Sequence, residues 1–122
     1  MSEDIKREID AARLKHILFK AKLRSYLYGS GIDEAPVRDP DVCALGQWIA
    51  NVALQQFGDM PEAQKLDRVH RQLHQAANKL MDLHQAGHAE QAQRGLSGIN
   101  PLTDEVLELI NTLERKLRKE GR

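Results

Sequence analysis

Apolar residues recur every three or four positions along most of the chain, and this spacing is the strongest constraint on its fold. Such a repeat places the apolar side chains on one face of an α-helix. In the first segment the repeat consists of Ile5, Ile9, Ala12, Phe19, Leu23 and Leu27. The run Gly29-Ser30-Gly31 predicts the end of this helix, and Pro36 and Pro40 predict a following loop that adds nothing to the core.

A second helix is predicted from about Val42 to Phe57, with Asp39 or Asp41 as its N-terminal cap and Gly58 as its stop. Its apolar positions are Val42, Leu45, Ile49, Val52, Ala53 and Phe57. Cys43 then falls in the first turn of this helix.

A third helix is predicted from about Glu62, with Asp59 or Met60 near the cap and Pro61 in the first turn. Its apolar stripe is Leu66, Leu73, Ala77 and Leu80. After Gly87 a short helical piece runs from His88 to about Leu96. The last helix begins at Asn100-Pro101 and presents a seam made of Leu102, Val106, Leu109, Ile110, Leu113 and Leu117.

Four long helices with short connections predict an all-α protein, folded as an antiparallel four-helix bundle. Composition agrees, because aromatic residues are only 4% of the chain and helix-forming residues dominate. The 122 residues match one domain, and no internal repeat or low-complexity tract divides them. We therefore expect residues 1–122 to form a single domain.

Charge and cysteine content exclude several functions. Eighteen basic and 18 acidic residues cancel, so no overall charge attracts nucleic acid or an anionic membrane. A single cysteine excludes an internal disulfide framework, and no signal peptide or membrane-length apolar run is evident. These features predict a cytoplasmic protein, and we expect a complete, free-standing chain.

Four residues on three predicted helices have side chains that bind metals. His70 and His74 are four positions apart, so both imidazoles lie on one helical face. His16 occupies a position on the apolar stripe of the first helix, and Cys43 begins the second. Three imidazoles and one thiolate could surround a zinc ion between the helices.

The residues alone also permit an interpretation without a metal. A single histidine on an apolar stripe is commonly a hydrogen-bonded core residue, and a single buried cysteine commonly packs as a small hydrophobe. A second pair, His84 and His88, has the same spacing but flanks Gly87, so we expect both to be surface or supporting residues.

An enzyme or oxygen-binding bundle with a di-iron or hemerythrin-like site is a further alternative. Such sites require several inward-facing carboxylates. Glu62 and Asp67 lie near His70 in the sequence, but no E-x-x-H motif and no acidic residue falls on the apolar stripes. A site filled by four protein ligands leaves no position for a catalytic water, so we expect a protein that is not an enzyme.

Three ordered motifs resemble the chemoreceptor zinc-binding domain (CZB) family. They are His16-Ile17-Leu18-Phe19-Lys20, Cys43-Ala44-Leu45-Gly46-Gln47-Trp48 and His70-Arg71-Gln72-Leu73-His74. In this family an H-x-x-[WF]-K helix accompanies C-x-L-G-[KR]-W and H-x-x-x-H. Gln47 departs from the usual basic residue before Trp48, and Asp10 is the one candidate for a carboxylate that would orient His16.

The resemblance implies a cytoplasmic bacterial four-helix bundle, often a homodimer, that binds one zinc ion through His16, Cys43, His70 and His74. It also implies regulation by zinc occupancy or by oxidation of Cys43, in signalling by chemoreceptors or diguanylate cyclases acting as separate chains. Phe19, Gly46 and Trp48 would support the site by packing. A zinc-stapled dimerisation module that never changes state is the structural alternative.

Overall fold

Every regular element is helical in the computed structural model, which describes all residues 1–122. The helices are α1 (Glu3–Leu27), α2 (Ala35–Arg38), α3 (residues 44–57), α4 (Pro61–Gln85), α5 (Ala89–Gly95) and α6 (Asn100–Glu120). A 3₁₀ turn, Leu96–Ile99, joins α5 to α6. The all-α prediction is confirmed.

Helix α1 begins after a serine cap and ends as its sequence predicts. The side chain of Ser2 accepts a hydrogen bond from the backbone N–H of Ile5 (3.2 Å), which satisfies one of the free donors at the helix start. After Leu27 the chain turns at Gly29, whose φ of 93° is left-handed and favours glycine.

The apolar stripes predicted from the sequence pack into one core of 27 buried residues. Helix α1 contributes the predicted stripe from Ile9 onwards, and α6 contributes its seam, with Leu102 only partly buried. At 25 cal/mol per Å² of apolar surface, burying each large aliphatic side chain stabilises the fold by about 1.5–3 kcal/mol. Packing of these faces therefore provides the main stabilisation of the helices.

Helices α1 and α6 run in opposite directions. The backbone N–H of Ser2 donates to the carbonyl of Arg122 (3.0 Å), so the start of α1 lies at the end of α6. Further along, Arg13 bridges the same two helices through Asn111 (3.1 Å) and Glu114 (2.7 Å). The pairing fixes which face of α1 is turned towards the core.

The prediction that residues around Pro36 and Pro40 add nothing to the core is wrong. They contain the short helix α2, and the Val37 side chain is fully buried. The fixed φ of Pro36 suits the first turn of a helix, which explains why this proline begins a helical turn here.

The predicted cap of the second helix is also wrong, because the first helical residue of α3 is Ala44 and Cys43 is the N-cap residue. Asp39 instead closes the preceding turn, where its side chain accepts from the Asp41 N–H (2.8 Å) and its carbonyl accepts from the Cys43 N–H (3.1 Å). Local side chain to backbone bonds of this kind compete with capping.

Helix α3 is not uniform. Its segments are α-helical at Ala44–Trp48, π-helical at Ile49–Ala53 and α-helical again at Leu54–Phe57. The wider turn changes the helical phase, and Val52 is only half-buried although the apolar repeat places it on the core stripe. Val42, before the helix, is 43% exposed.

None of the helices has the length and the apolar character needed to cross a membrane.

We predict that Arg13→Gln lowers the free energy of unfolding by about 1 kcal/mol at neutral pH, because it removes a partly buried bridge between α1 and α6. The Arg13 side chain holds the pKa of Glu114 below its ordinary value of 4.5. A carboxylate with a lowered pKa stabilises the fold above pH 4.5, and this contribution is lost as the pH falls below that value.

The difference in the free energy of unfolding between wild type and Arg13→Gln should therefore become smaller at acidic pH. Urea unfolding at neutral and acidic pH measures this difference. Arg7→Gln is the matched control, since the Arg7–Asp4 pair is exposed and should contribute little. Equal losses in the two variants would contradict the prediction.

Candidate metal centre

Three of the predicted metal ligands converge in the core. Cys43 lies at the start of α3, and His70 and His74 lie one turn apart on α4. All three are buried, and one ligand atom from each lies within 4.8 Å of the others. A thiol and two imidazoles at this separation are a donor set suited to zinc.

His74 is oriented by the backbone of α2. Its Nδ1–H donates to the carbonyl oxygen of Val37 (2.7 Å), so Nε2 carries the lone pair and accepts a hydrogen bond from Nε2 of His70 (3.1 Å). This is the arrangement found behind metal-binding histidines, where a carbonyl fixes the tautomer and the ring orientation. The Phe19 ring packs against the same imidazole, with the ring centroids 4.7 Å apart.

The Nε2 atoms of His70 and His74 lie 3.1 Å from each other. Two nitrogens bound to one tetrahedral zinc at about 2.0–2.1 Å would be separated by roughly 3.3 Å. The two imidazoles are therefore already spaced as a pair of ligands to one ion.

Burial keeps these imidazoles neutral. Burial, together with smaller contributions from the charges of His74, Arg71 and His16, lowers the pKa of His70 to about 3. Burial is also the main reason that the pKa values of His16 and His74 lie below the ordinary 6.5. A neutral imidazole is the form that binds a metal, so none of these rings has to lose a proton at neutral pH.

His16 lies outside the group of three. Its side chain is only 2% exposed, and its Nδ1 atom is buried without a hydrogen-bond partner. A buried nitrogen without a partner is costly. His16 is near enough to His70 that its charge affects the pKa of His70. No carboxylate orients His16, because the candidate Asp10 instead accepts from Arg13 (3.1 Å).

Gly46 allows the loop before α3 to pack closely against α4 at the site. A Cβ atom at this position would lie 1.7 Å from the carbonyl oxygen of Pro40 and 3.0 Å from Cε1 of His70. The loop before α3 can approach α4 this closely only because residue 46 has no side chain. The close approach suggested by the sequence is confirmed.

Trp48 anchors α3 to α1. It is 4% exposed, and its Nε1–H donates to Oε2 of Glu8 (2.9 Å). The packing role expected of Trp48 is correct, but the partnership with Glu8 has no sequence signal, because the two residues are distant in the chain. The Val37 carbonyl could not be predicted as the partner of His74 either. The two residues are distant in the chain, and every residue carries a backbone carbonyl.

The remaining histidines and acidic residues lie elsewhere. His88 is exposed, and the half-buried His84 ring contacts Tyr26, with 5.0 Å between ring centroids. Glu62 pairs with Lys116, and Asp67 pairs with Arg71 (3.3 Å). The buried group thus contains no carboxylate, which a di-iron site would need.

Fold and site together define an all-helical domain with a buried Cys/His group that could hold a metal ion. The sequence model of the chemoreceptor zinc-binding domain family, CZB, matches residues 16–81. This match covers more than half of the chain and includes all four predicted ligands, so the chain belongs to the CZB family. Comparisons with curated proteins and with solved structures find no match.

We predict that Gly46→Ala destabilises the protein by about 1–3 kcal/mol, because the new methyl group overlaps the Pro40 carbonyl and forces the loop away from α4. Thermal and urea unfolding measure this effect. Gly98→Ala is the matched control, since nothing lies within 4 Å of a Cβ at Gly98. Similar stability of the two variants would show that the loop adapts without cost.

Proposed function

We propose that this protein is a zinc-binding regulatory domain whose site contains three histidines and one cysteine. The observation that carries the proposal is the convergence of Cys43, His70 and His74 in the core. Membership of a family described as zinc-binding supports zinc as the metal.

His16 is the proposed fourth ligand. Its Nδ1 atom is buried without a hydrogen-bond partner, and a metal ion would supply one interaction for this ring. With His16 turned towards Cys43, His70 and His74, four protein ligands would fill a tetrahedral zinc site. The residues present therefore fit zinc, and they leave no place for a catalytic water, which supports a role other than catalysis.

Cys43 is the proposed redox-sensitive residue. Bound zinc would keep its sulfur as a thiolate at neutral pH. A peroxide can transfer one oxygen to this sulfur: the S–O bond forms, the O–O bond breaks, hydroxide leaves, and Cys43 becomes a sulfenic acid. The thiolate is then lost from the donor set, and the start of α3 is released from α4.

Contacts between neighbouring residues support a route by which a movement of Cys43 would be transmitted to other helices. Leu45 and Trp48 lie in the first turns of α3 after Cys43 and are buried, and Trp48 donates a hydrogen bond to Glu8 on α1. A shift of Cys43 would thus reach α1 through α3. The wider π-helical turn that follows Trp48 offers a place where α3 can change its phase.

Two other uses of the same site remain as alternatives. Zinc occupancy itself would be the signal if the affinity matched cellular free zinc. A permanent zinc staple in a dimerisation module would show very tight binding and no response to oxidants.

We propose that the protein acts in the cytoplasm as a homodimer, with the four longest helices arranged as an antiparallel bundle. Leu14, Ile17 and Leu18 share the outer face of α1 and are each about half exposed, which supports an apolar contact between subunits. A chemoreceptor or diguanylate cyclase on another chain is the proposed signalling partner.

We predict that the purified protein contains about one zinc per chain and that Cys43→Ala and His16→Ala each weaken zinc binding at least tenfold. Metal analysis and competition with a chelator measure this. His88→Ala should retain wild-type affinity, because His88 is exposed and outside the site. Full occupancy in Cys43→Ala with unchanged affinity would refute the proposed ligand set.

We also predict that peroxide releases zinc from the wild type in step with oxidation of Cys43. One peroxide titration can follow three quantities. Mass spectrometry measures the oxidation of Cys43, a zinc indicator measures the released zinc, and fluorescence reports the environment of the single tryptophan, Trp48. Chelator removal of zinc without oxidant separates metal loss from sulfur oxidation. If Cys43 oxidises while zinc and Trp48 fluorescence stay unchanged, the redox switch is excluded.

A further inference from the structure

A second potential binding site lies on the outside of the protein, between the second half of α1 and the segment that leads into α6. It is an open groove of about 450 Å³. Its lining includes the cations Lys20 and Arg24, the polar Asn100 and the apolar Leu96 and Ile99. A neighbouring cavity of about 500 Å³ shares Gln93 and Ser97 with the groove and adds Tyr28 and Arg94.

The cations of this groove lack internal partners. Seven of the ten arginines form ion pairs within the chain, and Arg24 and Arg94 are two of the three that do not. Lys20 is unpaired as well. One acidic residue, Glu90, lines the outer cavity, and none lines the inner one. In a chain of zero net charge, these residues leave a local positive excess open to solvent.

The surroundings of the cations also favour an anion. The Arg24 guanidinium lies over the Tyr28 ring, 5.4 Å from its centroid, which orients the group while its N–H donors stay available. Asn100, the first residue of α6, lines the groove, and the first turn of this helix has no acidic residue that would repel an anion.

We propose that this groove binds the phosphate group of a small phosphate ester. A doubly charged phosphate matches the two cations of the groove, Lys20 and Arg24, better than a single carboxylate does, and arginine donors suit its oxygens. The apolar lining residues would accept the organic part of the ester, and the volume is within the range of small-molecule sites. No proposed zinc ligand lines the groove, but Lys20 and Thr103 of its lining lie near His16.

Phenyl phosphate is the probe, because it combines a phosphate with an apolar ring. Titration followed by amide NMR shifts should give saturable changes at residues 20–24 and 93–100. The double variant Lys20→Gln/Arg24→Gln should weaken binding at least tenfold, since it removes both cations that line the groove. Both side chains are exposed, so the fold should survive.

Arg68→Gln/Lys79→Gln is the matched control: it removes the same charges from exposed, unpaired positions on α4 and should leave binding unchanged. Phosphatidylglycerol vesicles form a second arm. Binding to vesicles without binding of phenyl phosphate, abolished by the groove variant, would identify a lipid headgroup as the source of the phosphate. Absence of saturable binding in both arms, or equal losses in both double variants, would overturn the proposal.

Discussion

The hydrogen bond from His74 to the Val37 carbonyl connects the two parts of the chain that build the site. Val37 belongs to the segment between α1 and α3, and His74 belongs to α4. The bond gives a buried imidazole a partner, fixes its tautomer and brings the backbone that precedes Cys43 against α4. Because an unpartnered buried polar group costs about 1–3 kcal/mol, core histidines must be satisfied in this way or by a metal.

The buried polar groups therefore bear on both stability and the proposed function, because each needs a partner and a bound metal would be one. His74 is satisfied by the backbone, whereas Nδ1 of His16 has no partner. A purely structural core would have little reason to place two imidazoles and a thiol together among aliphatic side chains, with a third buried imidazole nearby. The arrangement is reasonable if a metal supplies the missing interactions, and family membership points the same way.

Much of the fold could be predicted because helical periodicity is a local property. The stripes of α1, α4 and α6 were correct, and so were Met60 and Pro61 at the start of α4. The wrong predictions concern the segment before α3, where a local sequence signal competes with tertiary packing or with another local hydrogen bond. Pro36 and Pro40 suggested a loop, yet tertiary burial of Val37 stabilises a short helical turn between them. Asp39 was expected to cap α3, but it forms a closer bond within its own turn.

The sequence by itself determined the helical class of the protein, the identity of the candidate ligands and, through three ordered motifs, its family. These depend on residue type and spacing along one chain. Only the tertiary structure decided that Cys43, His70 and His74 come together while His16 lies outside their group, and that Glu8 binds Trp48. It also decided which cations have no partner, because side chains far apart in the sequence meet only when the helices pack.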